Sequence, residues 1–121
     1  MKNVTKEQLN EWYKQALEIN EQVYNILGEA LDDNDIVVYN VNIDRWNLWV
    51  SIRAYVGIDS FKAPNELSEL VGRESVNLDF NQYTNEEKVK DFIERVKATV
   101  EVFARRAGIA KNIVDKNKEN N

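Results

Sequence analysis

Hydrophobic and polar positions recur with two different periods along this 121-residue chain, and the changes of period predict its elements. A helical period begins after the capping box Thr5-Lys6-Glu7-Gln8 and continues to about residue 31. A second capping box, Thr84-Asn85-Glu86-Glu87, opens another helical stripe, which we expect to end at Gly108. The chain therefore begins and ends with long amphipathic helices.

Between these helices the apolar residues recur every second position, which is typical of strands with one buried face. A tight turn at Asp44-Arg45 is expected to join the first two strands into a hairpin. The inward-facing pairs of this register are Ile43 with Trp46, Val41 with Leu48, Tyr39 with Val50 and Val37 with Ile52. A third strand is expected to turn Val76, Leu78 and Phe80 inward, after a short helix over 65–71 that ends at Gly72.

The predicted order is α-β-β-(short α)-β-α, an α+β fold. A three-stranded antiparallel sheet with one apolar face needs a cover, which the two amphipathic helices supply from one side. We expect a single domain over residues 1–110 and a polar, disordered tail over 111–121. Three strands leave two exposed edges, so a homodimer that joins two such sheets is a hypothesis.

The chain has neither cysteine nor histidine. It therefore lacks a thiolate nucleophile, thiolate or imidazole metal ligands, and the one side chain that titrates near neutral pH. There is also no glycine-rich phosphate loop and no nucleophile-elbow serine. We expect no catalytic residue, no metal and no cofactor, although a hydrolase or lyase built on clustered carboxylates stays open.

Charge and composition limit the kinds of partner, the cellular location and the origin that the sequence predicts. The net charge of −5 argues against broad nucleic-acid binding, which needs a basic surface. No apolar run approaches the roughly 20 residues of a membrane span, and none follows Met1 as a signal peptide requires, so we expect a cytoplasmic protein. Frequent Asn, Lys, Glu and Ile indicate an A+T-rich coding sequence, such as that of a low-GC bacterium or its phage.

The outward face of the second strand carries an arginine between two aromatic residues, Trp49, Arg53 and Tyr55. The rings are suited to stacking on a base or a partner side chain, and the guanidinium to binding a phosphate or carboxylate. The structural alternative is that Trp49 and Tyr55 pack under the 59–75 loop or across a dimer contact.

Two arginines of the last helix, Arg95 and Arg106, lie on one flank of its apolar stripe. Positive charges that lie close together favour the binding of an anion. For a nucleotide-like anion, Phe80 offers a further ring on which the base could stack. The structural alternative is that each arginine lays its stem over the core edge and keeps its charge in water.

The predicted architecture of the chain resembles that of a known family, and two arginine-bearing segments are the features that match. They are Trp49-Val50-Ser51-Ile52-Arg53-Ala54-Tyr55 on the strand and Phe103-Ala104-Arg105-Arg106-Ala107 on the last helix. In size and in this placement of arginines the chain is similar to the phage proteins that sequester cyclic ADP-ribose signals and so defeat Thoeris defence. The resemblance implies a compact sheet-plus-helix dimer that binds its ligand through these arginines.

Two functions therefore compete. The first is a non-catalytic protein that sequesters a nucleotide-like anion such as a cyclic ADP-ribose isomer. The second is a small acidic inhibitor or immunity-type protein that binds a host macromolecule through its acidic helix or its aromatic strand face.

Overall fold

The computed structural model describes residues 4–119, with helices and strands in the predicted order. The helices are α1 (Lys6–Leu31), α2 (Asn65–Val71) and α3 (Glu86–Glu119). The strands are β1 (Val37–Arg45), β2 (Val50–Ile58) and β3 (Glu74–Phe80). The α+β class is therefore confirmed. The absence of a signal peptide was predicted in part from residues 1–3, which lie outside the described residues.

The three strands form an antiparallel sheet in the order β1-β2-β3, so β2 is the central strand. Its inward residues, Val50, Ile52, Ala54 and Val56, are all buried. Helix α1 packs on β1 and β2, and α3 packs on β3 and β2, which gives one covered face, as predicted. Within residues 4–119, no helix is long and apolar enough to cross a bilayer.

The predicted register of the hairpin is wrong, although the predicted strand faces are right. Ile43 pairs with Ile52 and Arg45 with Val50, which leaves Trp46 to Trp49 as a four-residue connection. The backbone N–H of Trp46 donates to the carbonyl of Trp49 at 2.9 Å. Trp46 and Leu48, predicted to face the core, are therefore about half exposed at the hairpin tip.

The two long helices begin differently. At α1 the predicted cap is confirmed, because the Thr5 hydroxyl accepts a hydrogen bond from the Gln8 amide at 3.1 Å. At α3 the predicted cap is displaced by one residue, because the Asn85 side chain accepts from the Lys88 amide at 3.0 Å. The Thr84 hydroxyl instead holds the preceding turn and the end of β3.

The predicted end of the last helix at Gly108 is wrong, because α3 continues to Glu119. Residues 111–119, predicted to belong to a disordered tail, are helical, while 120–121 lie outside the described residues. Ala110 and Val114 are buried, and the Lys111 ammonium lies 2.6 Å from the Asp35 carboxylate. These contacts anchor the helix well past the glycine.

The short helix α2 ends at Gly72, as predicted. Gly72 has a φ of +78°, in the region that favours glycine over other residues. Its buried residues, Leu67 and Val71, dock α2 against β2 and α3.

Candidate functional site

The sheet face opposite the helices, here called the outer face, carries polar residues in cross-strand rungs. In order across β1, β2 and β3 the rungs are Asn40-Tyr55-Ser75, Asn42-Arg53-Asn77 and Asp44-Ser51-Asp79. All of these residues are exposed except Ser51 and Tyr55, which are partly buried. At these three rungs the outer face is therefore largely open to solvent.

One end of the outer face is concave. A cavity of about 240 Å³, here called the outer hollow, is lined by Asp44, Trp46, Trp49, Ser51, Arg53, Asn77 and Asp79. The rings of Trp46 and Trp49 stack on each other with centroids 5.7 Å apart and planes 27° apart. The four-residue connection thus forms an aromatic shelf at the edge of the hollow.

The charges of the outer hollow are mixed. Asp44 and Asp79 stand on either side of Ser51, whose hydroxyl donates to the Asp79 carboxylate at 2.7 Å. Arg53 lies on the next outward rung, between Asn42 and Asn77. No carboxylate of residues 4–119 lies within 4.0 Å of its guanidinium nitrogens, so the cation has acidic neighbours but no ion pair.

Tyr55 is not part of the outer hollow. Its side chain lies along β2 over Gly57, so close that a Cβ built on Gly57 would be 2.6 Å from the tyrosine hydroxyl. It lines a separate cavity beside α2, with Ser68 and Arg73. The predicted packing of Tyr55 near the 59–75 connection describes its position better than an open stacking platform does.

Phe80 does not match the predicted role. Its exposed fraction is 0%, because the inward face of β3 places the ring beneath α1 and α3. A fully buried ring is not available for stacking on a ligand. Its inward direction was predicted correctly, and that direction is what excludes it from the outer face.

Neither of the two helix arginines lines the outer hollow with Arg53. The Nε of Arg95 is 3.4 Å from Asp91, and its Nη2 donates weakly to the Asn77 carbonyl at 3.5 Å. Arg106 lines a third cavity with Glu74, at the opposite end of β3. Arg53 and Arg106 therefore line separate cavities, whereas Arg95 contacts the edge of β3 at Asn77, the cross-strand partner of Arg53.

A larger cavity lies elsewhere, in an open groove of about 690 Å³ between α1 and the first half of α3. Trp12, Ile19 and Phe80 form its apolar floor. Its rim consists of glutamines and alternating glutamates and lysines, which is the composition expected of the solvated flanks of two amphipathic helices. No predicted site residue with an exposed side chain lines it.

No family model, curated protein or solved structure matches this chain. The resemblance to proteins that bind cyclic ADP-ribose therefore stays a prediction. Within residues 4–119, no three acidic side chains are grouped as a metal site requires.

Of the residues that line the outer hollow, Trp49 and Arg53 were predicted as site residues and the others were not. Trp46 was assigned to the inner face because the alternation continues through the turn. Asn77 and Asp79 alternate with the predicted inward residues Leu78 and Phe80, so the pairing of β3 with β2 would have located them. Asp44 was assigned to the turn itself.

Proposed function

We propose that this chain is a non-catalytic binding protein whose outer face binds another protein through the outer hollow. The observation that carries the proposal is the exposed, stacked pair of Trp46 and Trp49 beside Arg53, on an uncovered sheet face. Tryptophan and arginine dominate the energetic centres of protein interfaces.

The exposure of the two indoles supports this function. Trp46 is 50% exposed and Trp49 is 37% exposed, although both are large apolar side chains. Exposed apolar groups that are grouped and rimmed by polar residues mark interaction sites. The asparagines, serines and aspartates of the rungs would supply the hydrogen bonds of the polar rim.

The size and charge of the outer hollow favour a protein over a nucleotide. Its volume of about 240 Å³ is smaller than the roughly 300–1,000 Å³ of typical small-molecule pockets. Asp44 and Asp79 both line it, and their carboxylates repel a phosphate that approaches Arg53. A protein surface can place a cation near the aspartates and a carboxylate near Arg53 at the same time.

A comparative capture experiment tests this function. Wild-type protein and the variants Trp49→Ala and Arg53→Glu are immobilised and exposed to lysate of a low-GC bacterium. Ile109→Ala is the matched control, because Ile109 is 60% exposed on α3, away from the outer face. We expect one stoichiometric protein on the wild type and on the control, and its loss from both outer-face variants. Equal retention by all four would contradict the proposal.

A nucleotide-like anion such as a cyclic ADP-ribose isomer is the second candidate. It is favoured by one observation, that Arg53 lacks an ion-pair partner and shares the outer hollow with Trp49. Isothermal titration with the cyclic ADP-ribose isomers tests it. Heat that disappears in Arg53→Ala would support this candidate, and no heat with any isomer would remove it. An origin in a phage, a cytoplasmic location and a homodimer are likewise predictions from the sequence.

A further inference from the structure

A polar cavity, here called the α2 cavity, lies between the end of β2, the connection that follows it and α2. Its polar lining consists of Tyr55, Ser60, Asn65, Ser68, Glu69 and Arg73. The cavity volume is about 340 Å³, which lies within the roughly 300–1,000 Å³ of typical small-molecule pockets and exceeds that of the outer hollow. In size, the α2 cavity can therefore hold a small ligand.

Two side chains of opposite charge, Glu69 and Arg73, line the α2 cavity. They are four residues apart, and in a continuous helix such residues are neighbours that form an ion pair. Here α2 ends at Val71, and Gly72, with a φ of +78°, turns the chain out of the helix before Arg73. The glycine therefore separates Arg73 from the helix surface that carries Glu69.

Neither charge is neutralised by another described residue of the chain. No carboxylate of residues 4–119 lies within 4.0 Å of the guanidinium nitrogens of Arg73, and no lysine or arginine nitrogen of this range lies within 4.0 Å of the Glu69 carboxylate. Both side chains are exposed, so a ligand can reach them. The α2 cavity therefore presents a cation and an anion that are not paired with each other.

Two hydroxyl groups add hydrogen-bonding capacity to the lining. The Ser68 Oγ is buried and has no hydrogen-bond partner within residues 4–119. Buried hydroxyls are normally hydrogen-bonded, so this one is suited to a bound molecule that it can reach by rotation about χ1. The Tyr55 hydroxyl lies beside Gly57, where a Cβ built on the glycine would be 2.6 Å from it. Each hydroxyl can donate to a carboxylate.

The two unpaired charges discriminate between classes of ligand. A simple anion would be attracted by Arg73 but repelled by Glu69, and a simple cation would experience the reverse. A molecule that carries both a carboxylate and an ammonium group can satisfy the two side chains at once. A free α-amino acid has these two groups on the same carbon atom.

We propose that the α2 cavity binds a free amino acid as a zwitterion, with its carboxylate on the Arg73 guanidinium and its ammonium group on the Glu69 carboxylate. The guanidinium presents a fork of donors that matches the geometry of a carboxylate. The hydroxyls of Tyr55 and Ser68 supply further donors to this carboxylate. The α2 cavity is separate from the outer hollow, so the proposal does not depend on the proposed function.

The apolar part of the lining indicates which kind of amino acid fits. Ile58 and the Tyr55 ring line the cavity, and both side chains are partly buried. Gly72 lines it as well, and a Cβ built there would meet no atom within 4 Å, so the space beside this glycine is open. We therefore expect an apolar or aromatic amino acid, whose side chain can pack on Ile58 and on the tyrosine ring.

Titration of the full chain, followed by proton–nitrogen correlation NMR, tests the proposal with L-phenylalanine and two analogues. Phenylpropionate lacks the ammonium group, and phenethylamine lacks the carboxylate. We expect phenylalanine to shift the amide signals of residues 58–73 with a Kd below about 1 mM, and each analogue to bind about tenfold more weakly or worse. The absence of shifts in this segment up to about 10 mM phenylalanine would overturn the proposal, as would an analogue that binds equally tightly.

Charge variants test the assignment of the two groups. Glu69→Gln should weaken phenylalanine binding by about tenfold yet strengthen phenylpropionate binding, because the repulsion of its carboxylate is removed. Arg73→Gln should weaken the binding of both by about tenfold. Glu66→Gln is the matched control, because it removes the same charge from an exposed residue of α2 that does not line the cavity, and we expect a change below about twofold. An equal loss in Glu66→Gln and Glu69→Gln, or undiminished binding by Arg73→Gln, would overturn the proposal.

Discussion

Replacing Val114 with alanine should destabilise the protein, although the sequence suggests that residues beyond Gly108 contribute nothing to the core. Val114 is 7% exposed in the extension of α3. Removing two buried carbon groups at about 0.8 kcal/mol each costs about 1.6 kcal/mol, and the cavity of about 40 Å³ that remains adds about 1 kcal/mol. The better helix propensity of alanine returns about 0.5 kcal/mol, so we expect a net loss of about 2 kcal/mol.

Chemical unfolding followed by tryptophan fluorescence and far-UV circular dichroism measures this loss. For a chain of this length, about 2 kcal/mol corresponds to a decrease in Tm of roughly 8 °C. Ile109→Ala is the matched control, because Ile109 lies on the same extension but is exposed, and we expect a change below about 0.5 kcal/mol. A Val114→Ala variant as stable as the control would refute the packing of α3 beyond Gly108.

Three further predictions concern the sheet and the anchoring of α3. Gly57→Ala should destabilise the protein by about 1 kcal/mol, because the added methyl group displaces the Tyr55 ring. A double-mutant cycle tests this cause, since the cost should vanish in a Tyr55→Ala background. Asn34→Ala should cost about 1–2 kcal/mol in urea unfolding, because this side chain donates to a carbonyl of α3 and accepts from an amide in its own loop. The hydrogen bond from Lys111 holds the pKa of Asp35 below its usual value. The stability that this ion pair contributes is therefore present above the ordinary carboxyl pKa and is lost as the pH falls through the lowered pKa. The Tm difference between wild type and Asp35→Asn should disappear between about pH 5 and about pH 2.

The faces of the hairpin could be predicted from the sequence, but its register could not. Alternation fixes which residues share a face, and the true pairing differs from the predicted one by an even number of residues, so the faces are preserved. The length of the connection is not encoded in that alternation. Trp46 and Leu48 continue the inward pattern and are nevertheless exposed in the connection.

The end of α3 shows how tertiary contacts outweigh a local signal. Glycine within a helix costs about 1 kcal/mol relative to alanine, which makes Gly108 a reasonable stop. Burial of Ala110 and Val114, together with the ion pair between Lys111 and Asp35, offsets that cost. The apolar positions after Gly108 continue the helical period, so part of the signal was present in the sequence.

The candidate site was only partly predictable for a related reason. Trp49 and Arg53 belong to one strand and its connection, and alternation is sufficient to place them together. The position of Arg106 relative to these residues depends on where α3 crosses β3. A periodic pattern of apolar residues does not contain that information. The sequence showed that cations exist on both elements, whereas the fold decides that they line separate cavities.

Site-specific photo-crosslinking can show whether the outer face is the binding surface. A photo-crosslinking amino acid replaces Asn42, which pairs with Arg53 on the outer face, or Ile109 on α3. After irradiation in lysate, we expect one discrete crosslinked species from position 42 that unlabelled wild-type protein competes away, and none from position 109. A competed crosslink from position 109, with none from position 42, would show that the outer face is not the binding surface.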